Sequence, residues 1–122
     1  LIIHGEEGLD EISINGPTLV IEVRNGEITE KRLHPEDFGL SSDGNKDISG
    51  NTPAENAKLT LDLLNGNPGP ARDIVLANAA CAFIVSGLTE TIGEGLKKAT
   101  ESLDSGAALK KLQDLKQLSN DI

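Results

Sequence analysis

Thr18-Leu19-Val20-Ile21-Glu22-Val23-Arg24-Asn25-Gly26-Glu27-Ile28-Thr29-Glu30-Lys31-Arg32-Leu33 decides the first half of the fold. Residues 18–24 are rich in β-branched side chains, and Asn25-Gly26 is the dipeptide best suited to a two-residue turn with positive φ, so this stretch predicts a β-hairpin. The returning strand, 27–33, is mostly polar and suits an edge or half-solvated position. Upstream, Ile12-Ser13-Ile14 is a short strand candidate stopped by Asn15-Gly16-Pro17, because proline cannot donate to a ladder and glycine permits a turn. Leu1-Ile2-Ile3 is a continuous apolar run ending at His4-Gly5, the pattern of a buried strand at the edge of a functional loop. The sequence starts at Leu1 and contains no Met, which reads as a piece of a longer polypeptide with further strands upstream.

Downstream of the hairpin, the period changes. His34-Pro35-Glu36-Asp37 reads as a turn or short helix start, with proline at the first helical position and acids in the first turn. Ser41-Ser42-Asp43-Gly44-Asn45-Lys46-Asp47 is polar and glycine-bearing, and predicts a surface loop. Thr52, Pro53 and Glu55 then match the N-cap, N1 and N3 positions of a capping box, opening a helix with Ala57, Leu59, Leu61, Leu63 and Leu64 on its apolar side and Asn65-Gly66 at its end. Pro70 to Val85 is apolar nearly all round, which predicts the central buried helix. Thr91 to Ser102 and Ala107 to Leu118 are two further amphipathic helices, the last with Leu109, Leu112, Leu115 and Leu118 recurring every three residues. The expected class is α/β. N-terminal strands with a hairpin in a mixed or antiparallel sheet occupy residues 1–40, a surface loop 41–51, and four helices 52–122, as part of a larger layer structure.

Composition narrows the partners. The 122 residues carry 20 Asp and Glu against 11 Lys and Arg, a formal net charge of -9. Without concentrated positive charge, neither nucleic acid nor an anionic membrane surface is an expected partner. The longest apolar run falls well short of the roughly 18 residues that a membrane span needs. The single Cys81 cannot form an internal disulfide, so a reducing, cytoplasmic setting is the expectation.

Chemistry concentrates after the first strand, at Gly8-Leu9-Asp10-Glu11. Two adjacent carboxylates converge on one ion only where the backbone is irregular, since in a strand they point to opposite faces; a flanking glycine supplies that freedom. A hard cation such as Mg²⁺ takes oxygen ligands and keeps several waters, so one or two carboxylates plus a substrate's phosphates make a site. By spacing alone the same dipeptide also reads as solvated surface in an acidic protein. His4 has a base or phosphate-contact reading beside a structural one. Cys81 lies in the most apolar helix, where a thiol is un-ionised and inert. Asn78, the polar interruption of that helix, reads as a clamp on a neighbouring segment's backbone. No Walker or dinucleotide glycine loop, histidine pair at ligand spacing or nucleophile elbow is present, so no residue is assigned a catalytic role.

Ile3-His4-Gly5, Gly8-Leu9-Asp10-Glu11, Gly16-Pro17-Thr18, Pro35-Glu36-Asp37-Phe38-Gly39, Pro53-Ala54-Glu55-Asn56, Asn78-Ala79-Ala80 and Asp104-Ser105-Gly106-Ala107-Ala108 occur in series over nearly the whole chain. In that order they resemble the C-terminal third of the anthranilate phosphoribosyltransferase family. The resemblance implies the C-terminal α/β domain shared with nucleoside phosphorylases. It also implies transfer of phosphoribosyl from phosphoribosyl pyrophosphate (PRPP) to anthranilate with release of pyrophosphate, in tryptophan biosynthesis. Members use an Asp-Glu pair in this motif to hold Mg²⁺ with the diphosphate, which matches Asp10 and Glu11. The family's Gly-Thr-Gly-Gly-Asp loop, its Lys-His-Gly-Asn segment, its anthranilate-binding arginine and the helical domain of its homodimer contact belong upstream and are absent from these residues. The resemblance therefore implies a chain that is inactive alone. Two other readings compete: a phosphorylase-like paralogue of the same fold, against which the retained Gly-Leu-Asp-Glu speaks, and a non-catalytic interaction module docking through its leucine-rich last helix.

Overall fold

The computed structural model describes residues 1–41 and 47–120. Three strands, β1 (Ile2–Gly5), β2 (Thr18–Arg24) and β3 (Glu27–Leu33), form a sheet in the order β1-β2-β3. Both pairings are antiparallel, with Ile3 opposite Val20 and Val20 opposite Lys31. Of the two arrangements expected, mixed or antiparallel, the described strands adopt the second. Asn25 (φ 53°) and Gly26 (φ 84°) both sit at positive φ, the requirement of the tight turn that matches the twist of a hairpin.

Four helices follow: α1 (Pro53–Leu64), α2 (Pro70–Val85), α3 (Ile92–Asp104) and α4 (Ala107–Asn120). A short 3₁₀ turn, Pro35–Phe38, leads off the sheet, its His34 N–H donating to Asp37 Oδ2 at 2.7 Å. Thr52 Oγ1 caps α1 by accepting from the Glu55 N–H at 3.2 Å. Glu55 bonds the Thr52 hydroxyl at 2.8 Å. At α3 the capping box closes fully: Thr91 Oγ1 accepts from the Glu94 N–H, and Glu94 Oε2 accepts from the N–H groups of Thr91 and Glu90. Of the loop expected between sheet and helices, residues 42–46 lie outside the described residues, and 47–51 are irregular and mostly exposed.

The core lies where one face of β2 meets α2. Val20, Ile12, Phe38, Ala77 and Cys81 form its buried cluster, with Ile3, Leu33, Leu40, Ile92 and Leu96 packed around it. α2 and α3 approach closely at Gly95, and Arg72 ties the start of α2 to the end of α3 through Asp104 at 2.7 Å.

Three expectations need correction. Ile12-Ser13-Ile14 is not a strand: it is irregular, although all three residues are buried, because side chains rather than a neighbouring strand satisfy its backbone. Among the described residues β1 lies at the edge of the sheet rather than between neighbours, and Ile2 is 63% exposed. α2 is central but not covered all round: Ala77, Ala80 and Cys81 are buried while Val75 and Val85 are exposed. Its uniform apolarity outruns the neighbours that these residues supply.

Candidate functional site

The loop between β1 and β2 is built from two anchored pieces with the acidic pair between them. The first is a hook. The Gly5 N–H donates to the Leu9 carbonyl at 2.8 Å, while the N–H groups of Gly8 and Leu9 return to the Gly5 carbonyl at 2.8 and 3.2 Å. Gly8 takes φ 103° to close it, a conformation that costs a side-chain-bearing residue dearly. Gly5 is constrained differently: a Cβ there would stand 3.0 Å from Leu9 Cβ and 3.3 Å from Ser13 Cβ, so the hook closes only around a bare backbone.

The second piece is the buried run Ile12-Ser13-Ile14. The Ile12 N–H donates to Asn78 Oδ1 at 2.9 Å, and Asn78 Nδ2 donates to the Ile12 carbonyl at 3.4 Å and to the Ile74 carbonyl at 2.9 Å. The Ser13 N–H donates to Thr18 Oγ1 at 2.8 Å. The Ser13 hydroxyl accepts from the N–H groups of Asn15 and Gly16 at 3.0 Å each and donates to Glu7. Buried backbone groups must find partners; here they find an asparagine from the core helix and a serine–threonine pair flanking the turn.

Of the four carboxylates on this loop, two are committed. Glu6 accepts from Arg32 Nε of β3 at 2.7 Å and Glu7 accepts from Ser13. The Glu6 contact also holds the Arg32 guanidinium above its already high ordinary value. Asp10 and Glu11 are exposed, and among the described residues neither side chain has a hydrogen-bond or ion-pair partner. Their oxygens are available to a hard cation, and the donor chemistry fits Mg²⁺ held jointly with a diphosphate. Among the described residues no three His, Cys, Asp or Glu side chains gather into a metal cluster, so a cation here would complete its shell from outside this pair.

The other sequence candidates fall elsewhere. His4 is exposed on β1, opposite Leu19. Cys81 is buried, and desolvation raises its thiol above the ordinary range, which disfavours the reactive thiolate. Asn78 is the backbone clamp that its place in an apolar helix suggests, and its target is the residue next to Glu11. The Ser13–Thr18–Glu7 lock is not anticipated by the strand reading of 12–14. Ser and Thr flanking Asn15-Gly16-Pro17 are its signal, since such hydroxyls satisfy turn backbones. No described helix is long and apolar enough to cross a membrane.

The chain is similar to known proteins over nearly its whole length. The chain is 45% identical over 120 residues to the anthranilate phosphoribosyltransferase of Laribacter hongkongensis, covering 98% of this chain and 35% of that protein. It is 43% identical over 115 residues to that of Paracidovorax citrulli, covering 94% of this chain and 33% of the relative. Among solved structures, anthranilate phosphoribosyltransferase from Saccharomyces cerevisiae in complex with PRPP and Mg superposes with a TM-score of 0.81 at 32% identity. That match covers 92% of this chain and 32% of the yeast chain. The same yeast protein in complex with 4-fluoroanthranilate gives a TM-score of 0.81. The chain thus spans about a third of the length of the curated relatives it matches. The model of the "Glycosyl transferase family, a/b domain" matches residues 1–109, and the chain belongs to that family.

Proposed function

We propose that these residues form part of an anthranilate phosphoribosyltransferase, and that Asp10 and Glu11 hold Mg²⁺ together with the diphosphate of PRPP. The observation that carries the reading is the pair itself: two exposed carboxylates without partners among the described residues, on a loop whose other two carboxylates are tied down and whose ends are both locked. Similarity over nearly the whole chain to anthranilate phosphoribosyltransferases supports the substrate assignment. A yeast relative bound to PRPP and Mg supports the metal.

Pyrophosphate departs readily only when its charge is neutralised, and Mg²⁺ supplies that neutralisation when bound. The chain's own part is to present oxygens. The hook at Gly5–Leu9 and the anchor at Ile12 restrict where the two carboxylates can lie, and pairing of Glu6 with Arg32 and of Glu7 with Ser13 keeps those acids from competing for the cation. The same reading carries a cytoplasmic setting, tryptophan biosynthesis and a homodimer formed through other residues, as the family resemblance implies. The exposed Leu115 and Leu118 of α4 favour the interaction-module alternative.

A titration of Mg²⁺ in the presence of PRPP, followed by amide chemical shifts, separates the two. The proposal expects shifts centred on residues 8–12 that vanish in Asp10→Asn/Glu11→Gln. Shifts elsewhere, or none, favour the module.

A further inference from the structure

We infer that Asn78 is the positioning residue of the Asp10–Glu11 loop, linking the rigid core helix to the affinity of the site; this rests on the reading of the pair as the Mg²⁺–diphosphate site. The Ile12 N–H that Asn78 holds belongs to the peptide group joining Glu11 to Ile12. Because a peptide group is planar, fixing that N–H at 2.9 Å fixes the plane from which Glu11 projects. Asn78 is itself not free to swing, since its Nδ2 is held by the Ile74 carbonyl one turn back in α2 at 2.9 Å. Behind it, Ala77, Ala80 and Cys81 bury the helix against the core. A connection thus runs from a packed helix through one side-chain amide to the backbone bearing the second carboxylate, across 66 residues of sequence.

The chemistry of the link is specific to an amide. Asn78 accepts from Ile12 and donates to two carbonyls, Ile12 and Ile74. Aspartate keeps the shape and the acceptor but sets a carboxylate oxygen against both carbonyls. Alanine leaves the Ile12 N–H without its partner. Groups that orient the ligands of a metal commonly change affinity by about 10- to 100-fold when lost, and Asn78 acts on Glu11 in this way although it touches neither metal nor substrate.

The test uses the polypeptide that carries these residues. Mg²⁺-dependent binding of PRPP is measured by calorimetry for the unchanged protein, Asn78→Asp, Asn78→Ala and Asp10→Asn/Glu11→Gln, at a temperature where circular dichroism shows each variant folded. Both Asn78 variants are expected to weaken apparent Mg²⁺ affinity about tenfold. Unchanged affinity in a folded Asn78 variant overturns the inference. Should those variants not fold, hydrogen exchange at the Ile12 amide of the unchanged protein serves instead: Mg²⁺ with PRPP should slow it, and an unaltered rate overturns the link. Loss of binding in the carboxylate double variant with full binding in Asn78→Asp defeats this inference alone. Full binding in the double variant defeats the metal-pair reading and the inference with it.

Discussion

Gly95 of α3 faces Ala80 of α2 with no room for a side chain: a Cβ on Gly95 would stand 2.7 Å from the Ala80 carbonyl oxygen and 2.9 Å from its Cα. The atoms in the way are backbone, so a rotamer change cannot relieve the clash and the helices must separate. This contact sets the spacing of the two helices that back the core.

Gly95→Ala therefore sets two effects against each other. Alanine favours an isolated helix over glycine by about 1 kcal/mol, whereas overpacking costs about 1–3 kcal/mol and more where backbone is met. The second wins, and thermal unfolding should show a lower midpoint. A raised midpoint would mean that α2 and α3 separate at little cost.

Ser13→Ala removes one hydroxyl that serves two backbone N–H groups and Glu7. Leaving a half-buried donor unpaired costs about 1–3 kcal/mol. Denaturant unfolding should show a loss of that order, with faster amide exchange at Asn15 and Gly16. Unchanged exchange at both would show that water replaces the hydroxyl and the lock is dispensable.

The capping carboxylate of α3 gives a pH dependence. Hydrogen bonds from the backbone of Glu90, then of Thr91, hold Glu94 below the ordinary carboxylate range. A depressed folded-state value stabilises above the unfolded value and is lost as pH falls through the folded one. Acid titration should thus release the Thr91 amide as pH drops below the ordinary carboxylate range, and Glu94→Gln should flatten that dependence. An Glu94 that titrates at its unfolded value would remove the effect.

Much of the architecture was legible because local chemistry and tertiary demand agree. Asn25-Gly26 specifies its own turn, and Thr52-Pro53 and Thr91-Glu94 specify their own helix starts. Ile12-Ser13-Ile14 failed as a strand because a short apolar stretch signals burial, which all three residues meet, and not which groups satisfy the backbone. The partner that replaced a ladder, Asn78, is remote in sequence and cannot be read locally. The exposed apolar residues of β1 and α2 misled in the same way: apolarity states a need for cover, while the neighbours that these residues provide determine whether it is met. At the site, Asp10 and Glu11 stood out by type, but that they lack partners among the described residues, while Glu6 meets Arg32 and Glu7 meets Ser13, emerged only in three dimensions.

The 122-residue chain by itself is expected to show no anthranilate-dependent turnover with PRPP and Mg²⁺. It spans about a third of the relatives' length, and the glycine loop that the family resemblance implies for pyrophosphate does not occur in these residues. A coupled assay for pyrophosphate release checks this, and turnover above a no-protein control would contradict it.

The central claim, that Asp10 and Glu11 are the metal pair, is tested most directly by titrating Mg²⁺ against PRPP binding with the pair intact and as Asp10→Asn/Glu11→Gln. The account predicts that PRPP binding depends on Mg²⁺ in the unchanged protein and loses that dependence in the double variant, with the fold retained by circular dichroism. Equal Mg²⁺ dependence in both proteins would contradict it.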